Sequence, residues 1–141
     1  VGDGFLVEIL QEYKPSNGLA CEQQTPIYFE GHLFGILPKD GGTNRNQLVC
    51  VHPDNPNEFV WTSGKEDRFG LGPYILADGK FFLLKDDGEL YIIESTTNGY
   101  TKFSQKKILD GHDAWAPLAI ADGYMVLRDS KTMACININA N

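Results

Sequence analysis

The sequence lacks the features that mark several classes of protein. Its longest apolar run falls far short of the roughly 18 residues that a transmembrane helix requires, so no membrane span is predicted. Basic residues are scarce: 12 Lys and Arg stand against 19 Asp and Glu, giving a net charge of -7 with no basic cluster. That balance argues against nucleic acid and anionic membrane surfaces as partners. No Cys-x-x-Cys pair or Cys/His spacing predicts a metal site.

Cysteine is also scarce, with three residues in the chain. Cys50 in "LVCV" and Cys135 in "MACI" occupy equivalent places in two copies of a repeat, so a disulfide between them is not expected. Both are predicted to be small buried hydrophobic residues. Cys21 lies in a polar stretch that the pattern does not place.

One block of sequence occurs three times. Pro26 opens "PIYFEGHLFGI", Pro73 opens "PYILADGKFFLL" and Pro117 opens "PLAIADGYMVL". Each copy has an apolar strand, an acidic residue followed by Gly, and a second apolar strand, which together predict a tight hairpin because Gly accepts positive φ. The turn glycines are Gly31, Gly79 and Gly123.

Each hairpin is followed by further strands. Leu48, Leu90 and Met133 head a third apolar run, and "EFVWT" with Trp61 and "YTKFSQKKIL" with Phe103 supply a fourth in two copies. Four antiparallel strands at a period of about 40 to 50 residues are typical of a β-propeller blade. We therefore expect an all-β chain with about three blades' worth of strands in an incomplete ring. Trp61 and Phe103 are predicted to fill gaps between blades rather than to bind a ligand.

The repeat also predicts domain boundaries. Asp3-Gly4 followed by "FLVEI" matches Asp87-Gly88 followed by "ELYII", so the chain is expected to begin inside a hairpin. The predicted units are residues 1–24 as the end of an earlier blade, 25–71 and 72–115 as blades, and 116–141 as the first three strands of a further blade. Because propellers close with about four to eight blades, we expect a partner. It would be the remaining blades, from another chain or segment, or a second copy in a homo-oligomer.

The order of these elements resembles the PQQ-like (quinoprotein-type) β-propeller repeat family across almost the entire chain. The shared pattern is a Pro-led strand, an acidic-Gly turn, an apolar strand, a "G.L..I" strand and an outer strand ending in Trp. The family's Asp then Thr-Gly turn before that Trp is replaced by "HPDNPNEFVW" in one copy and "ESTTNGYTKF" in the other. The resemblance implies a bacterial, periplasmic or secreted protein.

The resemblance implies two different functions. Catalytic members bind pyrroloquinoline quinone (PQQ) and calcium, often with adjacent paired cysteines, and this chain has no Cys-Cys pair and no obvious calcium loop at "DNPNE". Non-catalytic relatives use the propeller as a docking surface. We expect a non-enzymatic scaffold or binding module without catalytic residues, metal or cofactor. The alternative is a segment of a PQQ-dependent dehydrogenase whose catalytic residues lie outside this chain.

A candidate ligand site lies in the loops that join successive blades. "KEDRFGLG" at 65–72 and "DGHDAW" at 110–115 are predicted to share a face, where function concentrates in such folds. Arg68, His112, Asp113 and Trp115 would bring together a cation, an imidazole, a carboxylate and an aromatic platform for a protein or carbohydrate ligand. The alternative is structural: His112 and Asp113 order their loop and Trp115 packs between blades.

Overall fold

A computed structural model describes Gly4, residues 6–14 and residues 16–139. These residues form eleven β-strands and one short 3-10 helix, with no α-helix among them. Within the same residues, no helix is long and apolar enough to cross a membrane. The strands form three antiparallel sheets of four, four and three strands, and each sheet connects its strands in chain order. The predicted all-β class with four-stranded antiparallel sheets is confirmed.

The strands follow the three copies of the repeat. The first sheet contains β1 (Ile27–Phe29), β2 (His32–Ile36), β3 (Leu48–His52) and β4 (Asn55–Thr62), with the 3-10 helix Gly42–Asn44 in the β2–β3 loop. The second contains β5 (Tyr74–Ala77), β6 (Lys80–Leu84), β7 (Glu89–Glu94) and β8 (Lys102–Lys107). The third contains β9 (Ala119–Ala121), β10 (Tyr124–Arg128) and β11 (Met133–Asn137). The three sheets fall inside the predicted units 25–71, 72–115 and 116–141.

The acidic-Gly pairs form the turns that join the first two strands of each sheet. In the first sheet Glu30 has φ 47° and Gly31 has φ 77°, and the flanking residues Phe29 and His32 pair directly. Two consecutive positive φ angles define the hairpin turn whose twist matches that of antiparallel strands. The same geometry recurs at Asp78-Gly79 and Asp122-Gly123. The repeat therefore sets the strand register locally, at each turn.

The second sheet is buried on both faces. Phe81 and Leu83 are fully buried in a cluster shared with the first sheet, whereas Phe82 and Leu84 belong to a cluster shared with the third. Side chains alternate between the two faces of a strand, so a continuous apolar run such as "FFLL" serves two neighbouring sheets. Each large side chain buried in this way contributes about 1.5 to 3 kcal/mol. The sheets are thus stacked face to face around two cores.

The two outer faces of the stack differ. On the first sheet, Val49 and Val51 are fully buried, and Leu19 from the preceding segment packs on their cluster. Gly35 permits this approach, because a Cβ there would lie 2.6 Å from the sulfur of Cys21. A short segment of the chain therefore covers the outer face of the first sheet.

On the third sheet, the outward side chains remain open to solvent. Met125 is fully buried against the second sheet, but its neighbours Tyr124 and Val126 are 51% and 37% exposed and Met133 is 73% exposed. Cys135 pairs with Val126 on this face and is exposed, so the prediction that it is buried is wrong. The reason is that the equivalent Cys50 faces a neighbouring sheet, while Cys135 faces none among the described residues.

The predicted strand near the start of the chain is not formed. Residues 6–14 contain no strand, and Leu6, Val7 and Leu10 are more than 80% exposed. A strand needs a partner edge for its backbone groups, and no described strand lies beside this segment. The described part of residues 1–24 therefore contributes no strand to the three sheets, and its place as the end of an earlier blade stays a prediction. The part of that prediction that falls on residues 1–3, 5 and 15 lies outside the described residues.

Candidate functional site

Two inter-sheet loops and two strand turns meet at one end of the stack. They are residues 63–73 before the second sheet, the β6–β7 turn at 85–88, residues 108–118 before the third sheet, and the β10–β11 turn at 129–132. We call this surface the loop face. Two carboxylates, half-buried Asp86 and buried Asp129, accept the hydrogen bonds that hold it together.

Asp86 joins both inter-sheet loops to the β6–β7 turn. Its Oδ1 accepts the backbone N–H of Leu71 at 2.7 Å and the indole Nε1–H of Trp115 at 3.1 Å. Its backbone carbonyl accepts the N–H of Ala114 at 3.2 Å. The pKa of Asp86 is raised, chiefly because burial disfavours the charged carboxylate. Loops 65–72 and 110–115 therefore meet at this one side chain.

Asp129 plays the corresponding part in the third sheet. Its Oδ1 accepts the backbone N–H groups of Lys131 at 2.7 Å and Thr132 at 2.6 Å, and its Oδ2 accepts that of Gly111 at 2.8 Å. These backbone bonds, those of Lys131 and Thr132 first, lower the pKa of Asp129. The side chain thus holds its own turn and the loop that precedes its sheet. Sequence reasoning missed both carboxylates, although "KDD" and "RDS" stand in equivalent turns.

Glycine is required where each loop approaches its carboxylate. A Cβ at Gly70 would lie 1.8 Å from the Oδ2 of Asp86, and a Cβ at Gly111 would lie 2.2 Å from the Oδ2 of Asp129. Both distances are far inside van der Waals contact, so a side chain at either position would displace the carboxylate. The loop face therefore depends on two glycines as well as on two acids.

Three of the predicted ligand residues lie together on this face. Trp115 is 40% exposed although its Nε1–H is bound to Asp86. The Nδ1 of His112 lies 2.7 Å from the Oδ2 of Asp113, and both side chains are exposed. Asp113 has a φ of 59°, a left-handed conformation that Asp tolerates better than most residues. The result is an aromatic surface beside an accessible imidazole and carboxylate.

Arg68, the fourth predicted ligand residue, is committed elsewhere. Its Nε–H donates to the carbonyl of Lys65 at 3.3 Å, and its two terminal nitrogens donate to the carbonyls of Thr43 at 3.0 Å and Arg45. In the described structure none of its hydrogen bonds reaches residues 112–115. Arg68 holds the long β2–β3 loop, an insertion that the other copies lack, and its role as a ligand cation stays a prediction.

Trp61 lies in the gap between the first and second sheets. It is 9% exposed, and its ring centroid is 5.8 Å from that of Phe34 and 6.0 Å from that of Tyr100. Its Nε1–H donates to the carbonyl of Thr96, in the β7–β8 loop, at 3.1 Å. The indole therefore both fills the gap and ties the two sheets together.

Phe103 does not take the equivalent place in the second sheet. The ladder between β7 and β8 is irregular: Ile92 pairs with Ser104 and Ile93 pairs with Lys102, so Phe103 is the extra residue of a bulge. Phe103 is 53% exposed, and Ser104 holds the register position that Trp61 holds in the first sheet. The first sheet has the same bulge at Val60, so Phe103 corresponds in register to Val60 and not to Trp61. Phe103 lines the cleft between the second and third sheets, and its role in packing between blades stays a prediction.

Comparison with known proteins adds information on fold alone. No protein-family model and no curated protein matches the sequence. Among solved structures, the chain is similar to the crystal structure of the computationally designed Ika8 protein, with a TM-score of 0.55 and 8% sequence identity. The match covers 80% of this chain and 32% of the designed one, so the chain spans about a third of that protein's length.

In the described residues, no group of three or more His, Cys, Asp or Glu side chains could hold a metal ion.

Proposed function

We propose that this chain is a non-enzymatic binding module built from propeller-type blades, and that its loop face receives a protein or carbohydrate ligand. The observation that carries the proposal is that Trp115 is both held in place and exposed to solvent. Its indole is fixed through Nε1 by Asp86, yet 40% of the residue stays open to solvent. A rigid aromatic ring supplies contact area at little cost in conformational entropy, which is why such rings serve as binding anchors.

The neighbours of Trp115 supply polar groups for such a ligand. The adjacent His112 and Asp113 present a ring nitrogen and a carboxylate, which can exchange hydrogen bonds with sugar hydroxyls or with peptide groups. The net charge of -7 would also attract a cationic ligand in preference to an anionic one. A sugar ring stacked on the indole or a basic peptide laid across it would use these groups together.

The same proposal makes the chain part of a larger propeller. Tyr124, Val126 and Met133 leave the outer face of the third sheet apolar and exposed. Contiguous apolar surface of this kind marks an interface. We infer that further blades cover it, supplied by another chain, another segment or a second copy. A monomer of the chain's own mass in light scattering, at concentrations up to about 1 mM, would contradict this part of the proposal.

Binding to the loop face is tested by NMR titration with cellotetraose and, separately, with a Lys-rich peptide. The proposal expects one of them to shift the Trp115 indole resonance and the amides of 112–115, and Trp115→Ala to abolish binding. Val60→Ala, at a position 49% exposed on β4, serves as the matched control and should bind normally. Binding that survives Trp115→Ala would contradict the site. Retention of PQQ absorbance after desalting from a mixture with calcium would contradict the non-enzymatic function.

A further inference from the structure

A second, independent feature is a cleft between the second and third sheets, away from the loop face. It has a volume of about 570 Å³. We call it the open cleft, and its main lining residues are Phe82, Ile92, Phe103, Ser104, Ile120 and Asn139. Most of this lining is apolar; polar groups occur at Ser104 and Asn139, and the charged residues Asp78 and Lys80 also line the cleft.

The open cleft is the repeat equivalent of a gap that is filled elsewhere in the same chain. In the first sheet the β3 residue Cys50 pairs with Trp61 of β4, whose indole fills the gap to the second sheet. In the second sheet the β7 residue Ile92, at the same place in the repeat as Cys50, pairs with Ser104. A serine therefore stands where the repeat has its tryptophan.

The walls around the two gaps also correspond. Phe34, which packs beside Trp61, and Phe82 each lie three residues after the turn glycine of their sheet. On the opposite wall, Leu76 and Ile120 each lie three residues before the turn glycine of the next sheet. Thr96, whose carbonyl accepts the Trp61 Nε1–H, lies two residues after its strand ends at Glu94. Asn139 likewise lies two residues after β11 ends. The open cleft thus keeps the apolar walls and the position of the acceptor, but lacks the indole.

We propose that the open cleft binds a tryptophan side chain presented by a partner polypeptide. A dry apolar cavity of about 150 Å³ is large enough to bind benzene, so the volume of the cleft admits an indole. Burial between Phe82 and Ile120 would take the ring out of water. The Asn139 carbonyl would accept the indole N–H as the Thr96 carbonyl does for Trp61. A polypeptide is the source because the occupant of the equivalent gap is a tryptophan held by a strand.

The test is an NMR titration of the whole chain with the peptide acetyl-Gly-Trp-Gly-amide. A single anchored ring is expected to bind with a Kd on the order of 1 mM, which is measurable by chemical shift. Intermolecular NOEs from the indole should reach Phe82, Ile92 and Ile120. The same peptide with 1-methyltryptophan should bind about 2- to 10-fold more weakly, the effect of losing one neutral hydrogen bond. A peptide with Leu in place of Trp should bind more weakly still.

Two matched variants place a tryptophan on β8. Ser104→Trp restores the repeat pattern, so it should fill the cleft and reduce peptide binding at least 10-fold. Gln105→Trp adds the same side chain to the opposite face of the strand and should leave peptide binding unchanged. Wild-type NOEs decide the question even if Ser104→Trp fails to fold. Absence of those NOEs, equal binding of the Leu peptide, or full binding by a folded Ser104→Trp variant would overturn the proposal.

Discussion

Replacement of Trp61 should show how much of the stability of the stack depends on one side chain between sheets. Trp61 is 9% exposed, packs against Phe34 and Tyr100, and donates to the carbonyl of Thr96. Trp61→Ala removes the ring and leaves a cavity, a change that typically costs 3 to 5 kcal/mol in a protein core. Because a domain of this size has a total unfolding free energy of about 5 to 15 kcal/mol, that loss is a large fraction of the whole.

A second substitution separates the hydrogen bond from the packing. Trp61→Phe keeps an aromatic ring but removes the Nε1–H donor, which leaves the Thr96 carbonyl without this partner. Thr96 is half-buried, so losing this hydrogen bond should cost about 0.5 to 1.5 kcal/mol, and Trp61→Phe should fall between the wild type and Trp61→Ala. The order of stability should therefore be wild type, then Phe, then Ala.

The assay is urea unfolding followed by far-ultraviolet circular dichroism, which does not depend on the fluorescence of the residue that is removed. Val60→Ala is the control, because Val60 is the neighbouring β4 residue and is 49% exposed. It should change the free energy of unfolding by no more than about 0.5 kcal/mol. A loss below about 1 kcal/mol for Trp61→Ala would refute the packing argument.

Three further predictions concern the turns and loops. The N–H groups of Lys131 and Thr132 lower the pKa of Asp129, so its contribution to stability is present above about pH 4 and is lost as the pH falls through its folded-state pKa. Asp129→Asn should therefore flatten the plot of unfolding free energy in urea against pH below pH 4. An unchanged slope would contradict this. Gly88→Ala would place a Cβ 2.5 Å from the carbonyl oxygen of Leu109 at φ 86°, whereas Gly31→Ala at φ 77° meets nothing within 4 Å. Thermal melts should show that the free energy of unfolding falls by about 1 to 2 kcal/mol for Gly31→Ala and by clearly more for Gly88→Ala. Equal losses would count against the clash. Arg68→Ala should speed amide hydrogen exchange in residues 42–47, because the guanidinium hydrogen bonds go to loop carbonyls. It should not change the chemical-shift changes that a ligand causes at residues 112–115. A loss of ligand binding would show that Arg68 is part of the site.

The sheets were predictable because their signals are local. An acidic residue and Gly between two apolar runs define a hairpin within about ten residues, and the repeat supplies that signal three times. The strand expected at "FLVEI", residues 5–9, is not formed in its described part, 6–9, for the opposite reason. Its apolar pattern matches β7, but pattern alone does not supply the neighbouring strand that a sheet requires.

The candidate site was predictable only in part. His112, Asp113 and Trp115 are close in sequence, and their loop was placed correctly beside loop 65–72 through Asp86. Asp86 itself was missed because its partners, the backbone N–H of Leu71 and the indole N–H of Trp115, are distant along the chain. The ligand role of Arg68 stays a prediction; two of its carbonyl partners, those of Thr43 and Arg45, lie in an insertion whose path the repeat does not predict.

The central claim is that the three sheets pack against one another rather than forming independent hairpins, and a NOESY spectrum of the side chains tests it most directly. NOEs should link the rings of Phe34 and Phe81, whose centroids are 5.0 Å apart across the first pair of sheets. NOEs should also appear within the buried cluster that holds Leu84 of the second sheet and Met125 of the third. A spectrum of the folded chain with NOEs inside each sheet but none between sheets would contradict the account.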